Sequence, residues 1–237
     1  SGTARSTITD WELYETELLG RVGIGQKLIS GVIHRARRAG KRVVLAEADD
    51  YNVLKAADIA REQRIAEPIL LGPRETILAL IDEHRLASLR DAEIVSPLDE
   101  PGQCARYAEV LYRKRQRRGV TFPDALRMVR DRNYFGAIMV ESGEADAMVS
   151  GRTREYPKII RPALEVIGTE AGVNRVAGTY IVNSNRGVYF FADTTVNLEP
   201  TSEELAEIVG LTAATVRYFN VEPIVAENAV VYNPIPG

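Results

Sequence analysis

A parallel α/β sheet flanked by helices, followed by a partial second α/β domain, is the architecture that this 237-residue sequence predicts. Three observations lead there. Short apolar runs such as Arg42-Val43-Val44-Leu45-Ala46 and Pro68-Ile69-Leu70-Leu71-Gly72 lack the polar alternation of a half-exposed strand, as expected of strands covered on both faces. Successive runs are separated by amphipathic stretches of helix length, which parallel βαβ units require. The composition, 45% hydrophobic and 27% charged, suits a chain that buries such a sheet and excludes disordered and low-complexity classes.

The elements follow in order. Residues 1–40 are expected to form linker helices. Asp10 is placed to cap a first helix with Trp11, Tyr14, Leu18 and Leu19 on one face. A second, Gln26 to Arg38, carries the stripe Leu28, Ile29, Val32, Ile33 and Ala36 and ends on arginines before Gly40, a helix stop. Residues 41–172 are expected to form the first α/β domain. Its strands are read at 42–46, 68–72, 92–96 and 146–151, and its helices at 53–60 (capped by Asp49-Asp50), 75–84, 102–118, 122–130, 133–142 and 156–167. Pro157 falls in the first turn of the last helix, where proline is tolerated. Residues 173–237 are expected to form the partial second domain. It has short apolar runs at 176–182, 188–191 and 223–226, and an amphipathic helix over 202–219 that opens with the capping box Thr201/Glu204.

Charge and rare residues narrow the function classes. Thirty basic against thirty-three acidic residues leave a net charge of −3, which disfavours an extended nucleic-acid surface. With one cysteine, Cys104, and two histidines, His34 and His84, the chain forms no internal disulfide and offers little for a Cys- or His-rich metal site. No apolar run reaches membrane-spanning length and no secretory leader is evident. A cytoplasmic protein with neither membrane nor nucleic-acid partners, opening on a processed or excised terminus, is expected.

Three places could carry chemistry. The cluster Arg113-Lys114-Arg115-Gln116-Arg117-Arg118 reads either as a solvated helix end, where cations oppose the helix dipole, or as a phosphate site, because guanidinium forks match phosphate oxygens. Val149-Ser150-Gly151-Arg152-Thr153 reads either as a plain βα turn or as a loop offering N–H groups and a hydroxyl at the carboxyl edge of the sheet, where open α/β folds bind ligands. Ser150 does not stand in a Gly-x-Ser-x-Gly elbow, since Met148 precedes it by two, so acyl-serine chemistry is not indicated. Phe191-Ala192-Asp193-Thr194-Thr195-Val196-Asn197 could deliver a polar site or form an Asx turn.

Several segments together resemble the phosphotransacetylase (phosphate acetyl/butyryltransferase) family. They are Lys41-Arg42-Val43-Val44-Leu45-Ala46-Glu47, Val53-Leu54-Lys55-Ala56-Ala57, Ile65-Ala66-Glu67-Pro68-Ile69-Leu70-Leu71-Gly72, Tyr134-Phe135-Gly136, Gly143 through Gly151, Arg161-Pro162-Ala163-Leu164 and Phe191-Ala192-Asp193, in the family's order. The variants Tyr156-Pro157 and Thr194-Thr195-Val196-Asn197, and the lead-in Ile8 through Tyr14, resemble the form fused behind the catalytic half of NADP-dependent malic enzymes. The resemblance implies a Rossmann-like parallel sheet and two α/β domains with a CoA cleft between them. It places family arginines that serve CoA on Arg115 and Arg161, and the cleft loop on Ser150 and Gly151.

The chain departs from the family at Glu155-Tyr156-Pro157, where members tend to carry small hydroxyl residues, and at Asn52, where many carry arginine. The family's Ser-Arg…Asp catalytic set has no counterpart here, and the tail 227–237 does not align with it. The expectation is therefore an acetyl-CoA-binding regulatory and oligomerisation module without catalytic residues or metal of its own. Its partner would be a malic-enzyme catalytic half that uses NADP and a divalent metal, within a homo-oligomer. A phosphate acetyltransferase moving acetyl between CoA and phosphate is the alternative.

Overall fold

The computed structural model describes residues 24–184, 187–197 and 199–226. The expected helix of Trp11, Tyr14, Leu18 and Leu19 and the tail 227–237 lie outside these residues. The described residues divide into two compact units, 33–170 and 24–32 together with 171–226.

Helix α1 (Ile24–Ala39) ends on Arg37 and Arg38 and is followed by the strand β1 (Arg42–Leu45). Of its expected buried stripe, Leu28, Val32, Ile33 and Ala36 are half-buried and Ile29 is exposed. Then come α2 (Tyr51–Glu62), β2 (Glu67–Leu71), α3 (Arg74–Glu83), a 3-10 turn (Ala87–Leu89) and β3 (Glu93–Val95). Helix α4 (Pro101–Arg115) tightens into a 3-10 turn over Gln116–Arg118, so the expected helix to Arg118 changes hydrogen-bond pattern three residues early. Helices α5 (Phe122–Met128) and α6 (Arg132–Glu141), strand β4 (Ala147–Val149) and helix α7 (Tyr156–Val166) complete the unit.

The four strands pair in the order β3-β2-β1-β4, all parallel. Alternate residues supply two cores. Val44, Ile69 and Leu71 point to the face covered by α4, α5 and α6, among Tyr107, Leu111, Phe135 and Ile138. Leu45 and Leu70 point to the other, among Leu54, Ile77, Ile81 and Leu89. Burial on both sides explains the unbroken apolar runs. Helix α6 lies close enough to the sheet that a Cβ on Gly136 would stand 2.6 Å from Met148 Sδ and 3.1 Å from Val44 Cγ1, so hydrogen is the largest substituent this contact admits.

In the other unit, β5 (Thr179–Ser184) and β6 (Gly187–Ala192) form an antiparallel hairpin with Tyr180 opposite Phe191. Helix α8 (Ser202–Tyr218) starts with the expected capping box, in which Thr201 and Glu204 exchange hydrogen bonds. Ile208 and Val216 are its buried residues. The apolar run 223–226 forms no strand. It is too short to hold strand geometry without a neighbour to pair with.

Candidate functional site

Two enclosed carboxylates of the 33–170 unit gather donors from distant parts of the chain. The first is Glu47, which follows β1 at the carboxyl edge of the sheet. It is 3% exposed. The loop after β4 folds around it: Gly151 N–H donates to Oε1 at 3.1 Å, and the N–H groups of Arg152 and Thr153 donate to Oε2 at 3.0 and 2.7 Å. Gly151 makes this wrap possible, because its φ of +128° is a conformation that side-chain-bearing residues rarely adopt. Ser150 Oγ lies 3.1 Å from Glu47 Oε1 and 2.7 Å from Asn133 Oδ1, and its single proton serves one of them. Burial pushes the Glu47 carboxyl up, but the N–H groups of Thr153 and Gly151 outweigh it and hold the group below the usual carboxylate range.

The same edge is braced by side chains. Asp50 caps α2 through the N–H groups of Asn52 and Val53, and it also accepts from Arg152 Nε at 2.8 Å. Arg132 Nη1 donates to Asp49 at 2.6 Å. The backbone donors that the loop was expected to offer a ligand are thus engaged inside the protein.

The second carboxylate is Glu165, near the end of α7, with 10% of its side chain exposed. Arg161 Nε donates to Oε1 at 2.9 Å from one turn earlier on the same helix, and Arg115 Nη2 reaches the same oxygen at 3.3 Å from the end of α4. Tyr134 of α6 donates its hydroxyl to Oε2 at 2.6 Å. Burial raises the Glu165 carboxyl, and the Tyr134 hydroxyl and Arg161 more than reverse the effect. Burial and then the carboxylate push the Tyr134 phenol up. Arg115 Nε is buried without a hydrogen-bond partner among the described residues.

Arg115, Arg118, Arg161 and Glu165 line a shallow groove of about 390 Å³ with Pro157, Ile160 and Leu164. Other members of the basic cluster are engaged elsewhere. Arg113 pairs with Glu109 at 2.7 Å, and Lys114 pairs with Glu141 and donates to the carbonyl of Val166. The structure therefore brings Arg115 and Arg161 together on one carboxylate, and gathers Ser150 and Gly151 around a different one.

Sequence reasoning passed over both carboxylates. Glu165 stands four residues after Arg161, a spacing that joins side chains on one helix face. Glu47 is an acid at the end of an apolar run, where burial demands partners. The Asp193 segment forms the turn, not an open site. Its carboxylate accepts the N–H groups of Gly178, Thr195, Val196 and Asn197 at 2.8–3.2 Å and Asn197 Nδ2 at 2.6 Å. Among the described residues no helix is long and apolar enough to cross a membrane.

A parallel sheet with an arginine-lined groove beside it defines an α/β protein equipped to hold an anion. The chain belongs to the phosphate acetyl/butaryl transferase family, whose pattern it matches over residues 27–229. It is 36% identical over 195 residues to a phosphate acetyltransferase of Nitratidesulfovibrio vulgaris, covering 82% of this chain and 27% of that protein. It is also 36% identical over 229 residues to the NADP-dependent malic enzyme of Escherichia coli, covering 95% of this chain and 30% of that one. A phosphotransacetylase from Streptococcus pyogenes superposes with a TM-score of 0.74 at 32% identity, over 84% of this chain and 60% of that one. The chain thus spans under a third of the length of these two sequence relatives.

Proposed function

We propose that this chain is an acetyl-CoA-binding module of an NADP-dependent malic enzyme, acting on that enzyme's activity and assembly rather than transferring acetyl groups itself. The observation that carries the reading is the groove lined by Arg115, Arg118 and Arg161 with one carboxylate, Glu165, among them. Three cations against one anion leave net positive charge for phosphate or pyrophosphate oxygens. The apolar flank of Pro157, Ile160 and Leu164 suits the less polar parts of a nucleotide thioester. Likeness to a malic enzyme over 95% of the chain supports the context. In that context NADP and the divalent metal belong to a malic half, which would be the partner, and a homo-oligomer in the cytoplasm is the proposed assembly.

Acetyl transfer would need a base to form the thiolate and donors for the oxyanion of the tetrahedral intermediate. The N–H groups of Gly151, Arg152 and Thr153 already donate to Glu47, which favours binding over transfer. The names of the relatives favour the second reading, a phosphate acetyltransferase. Titration calorimetry with acetyl-CoA, run beside an assay for acetyl phosphate formation, tests both. Saturable binding without acetyl phosphate supports the module. CoA-dependent acetyl phosphate formation supports the transferase, and no binding at all removes both.

A further inference from the structure

We infer that Glu165, held in place by Tyr134, is the positioning residue of the Arg115–Arg161 pair, so that anion affinity in this groove depends on a carboxylate that touches no ligand. The inference rests on the groove being an anion site, as proposed above. It assigns a role to residues that this reading leaves idle.

The two arginines come from different helices. Arg115 sits at the end of α4 and Arg161 in the middle of α7. An arginine side chain has several rotatable bonds, and two of them facing one groove repel each other unless something anchors them. Glu165 Oε1 is the shared acceptor, at 3.3 Å from Arg115 Nη2 and 2.9 Å from Arg161 Nε. Its other oxygen accepts the Tyr134 hydroxyl at 2.6 Å, which fixes the rotation of the carboxylate. The chain of contacts therefore runs from the packed helix α6 through Tyr134 and Glu165 to both guanidinium groups.

The acceptor supply is also short. One carboxylate oxygen serves two cations, while Arg115 Nε is buried with no partner among the described residues. That Nε is enclosed, and Arg115 meets Glu165 through Nη2 instead. Arg161, with 73% of its side chain exposed, is the member free to turn to an anion. It meets Glu165 through Nε, so the carboxylate can hold the side chain while its terminal nitrogens turn to the anion.

The test uses the whole chain and its variants Arg161→Ala, Glu165→Gln and Tyr134→Phe. Acetyl-CoA and inorganic pyrophosphate are titrated in turn at several salt concentrations. Wild type binds and Arg161→Ala weakens binding if the groove is the anion site; failure of either overturns that reading and this inference with it. Given both, the inference expects Glu165→Gln to weaken both ligands by about fivefold or more. It also expects a shallower dependence of affinity on salt, because one fewer cation is engaged. Loss of stability alone does not flatten that dependence. Unchanged or tighter binding by Glu165→Gln, the behaviour of a carboxylate that competes with the ligand, overturns the inference while leaving the anion site standing. If Glu165→Gln fails to fold, Tyr134→Phe decides the matter, since it removes only a hydroxyl. A weaker affinity with a shallower salt dependence supports the positioning role, and wild-type binding contradicts it.

Discussion

Glu47 and Glu165 are two enclosed carboxylates in one unit, each holding donors from distant parts of the chain, and they leave their surroundings in opposite conditions. Glu47 accepts from the backbone of a single loop, and three N–H groups with fixed directions saturate it. Those three N–H groups are engaged with the carboxylate. Glu165 accepts from long side chains of three helices, and the two arginines that meet it also line a groove. Backbone donors make a rigid loop. Side-chain donors make a site whose hydrogen bonds can be exchanged.

The comparison predicts different losses at the two carboxylates. Glu47→Ala leaves three N–H groups of an exposed loop without their carboxylate acceptor. It is expected to cost roughly 1–3 kcal/mol in urea denaturation and to abolish hydrogen-exchange protection at residues 151–153. A cost near that of a surface substitution would show that the loop stands without its carboxylate. Gly136→Ala probes the packing beneath both sites. With its Cβ 2.6 Å from Met148 Sδ, overpacking should lower stability by about 1–3 kcal/mol, read from the denaturation midpoint.

A smaller effect concerns pH. Both carboxyl groups are held below their ordinary value of 4.5 in the folded chain. A lowered folded value means that each contributes stability fully above the unfolded value, and that this contribution is lost as pH falls through the folded one. Glu47→Gln and Glu165→Gln should each flatten the fall of the urea midpoint between about pH 5 and pH 2. An acid limb as steep as that of wild type would contradict the assigned hydrogen bonds.

Much of the fold was legible in the sequence because the parallel sheet is buried on both faces. A strand covered on both sides leaves an unbroken apolar run, as at Val43-Val44-Leu45 and Ile69-Leu70-Leu71. The caps at Asp50 and Thr201 were legible for a local reason, since each bonds N–H groups within three residues of itself. The short apolar run at 223–226 forms no strand, because apolar character alone does not say whether a pairing partner exists. The antiparallel sense of β5 and β6 depends on their mutual pairing, which periodicity does not report. Arg115 and Arg161 were singled out by composition and by family likeness, but the meeting of Arg115 with Glu165 spans 50 residues of chain, a distance that spacing rules do not cross. The engagement of the Ser150 loop by Glu47 spans more than 100 and was hidden for the same reason.

The central claim is that the groove of Arg115 and Arg161 takes the ligand's phosphates while the neighbouring positive charge does not. Titration calorimetry of acetyl-CoA into Arg115→Ala, Arg161→Ala and Arg117→Ala tests it most directly. Charge-assisted hydrogen bonds of about 1.5–3 kcal/mol each predict that Arg115→Ala and Arg161→Ala bind roughly tenfold to a hundredfold more weakly. Arg117, in the same basic cluster but outside the groove lining, should match wild type apart from a small, salt-screened loss. Equal losses at Arg115 and Arg117, or no loss at Arg115 and Arg161, would contradict the account.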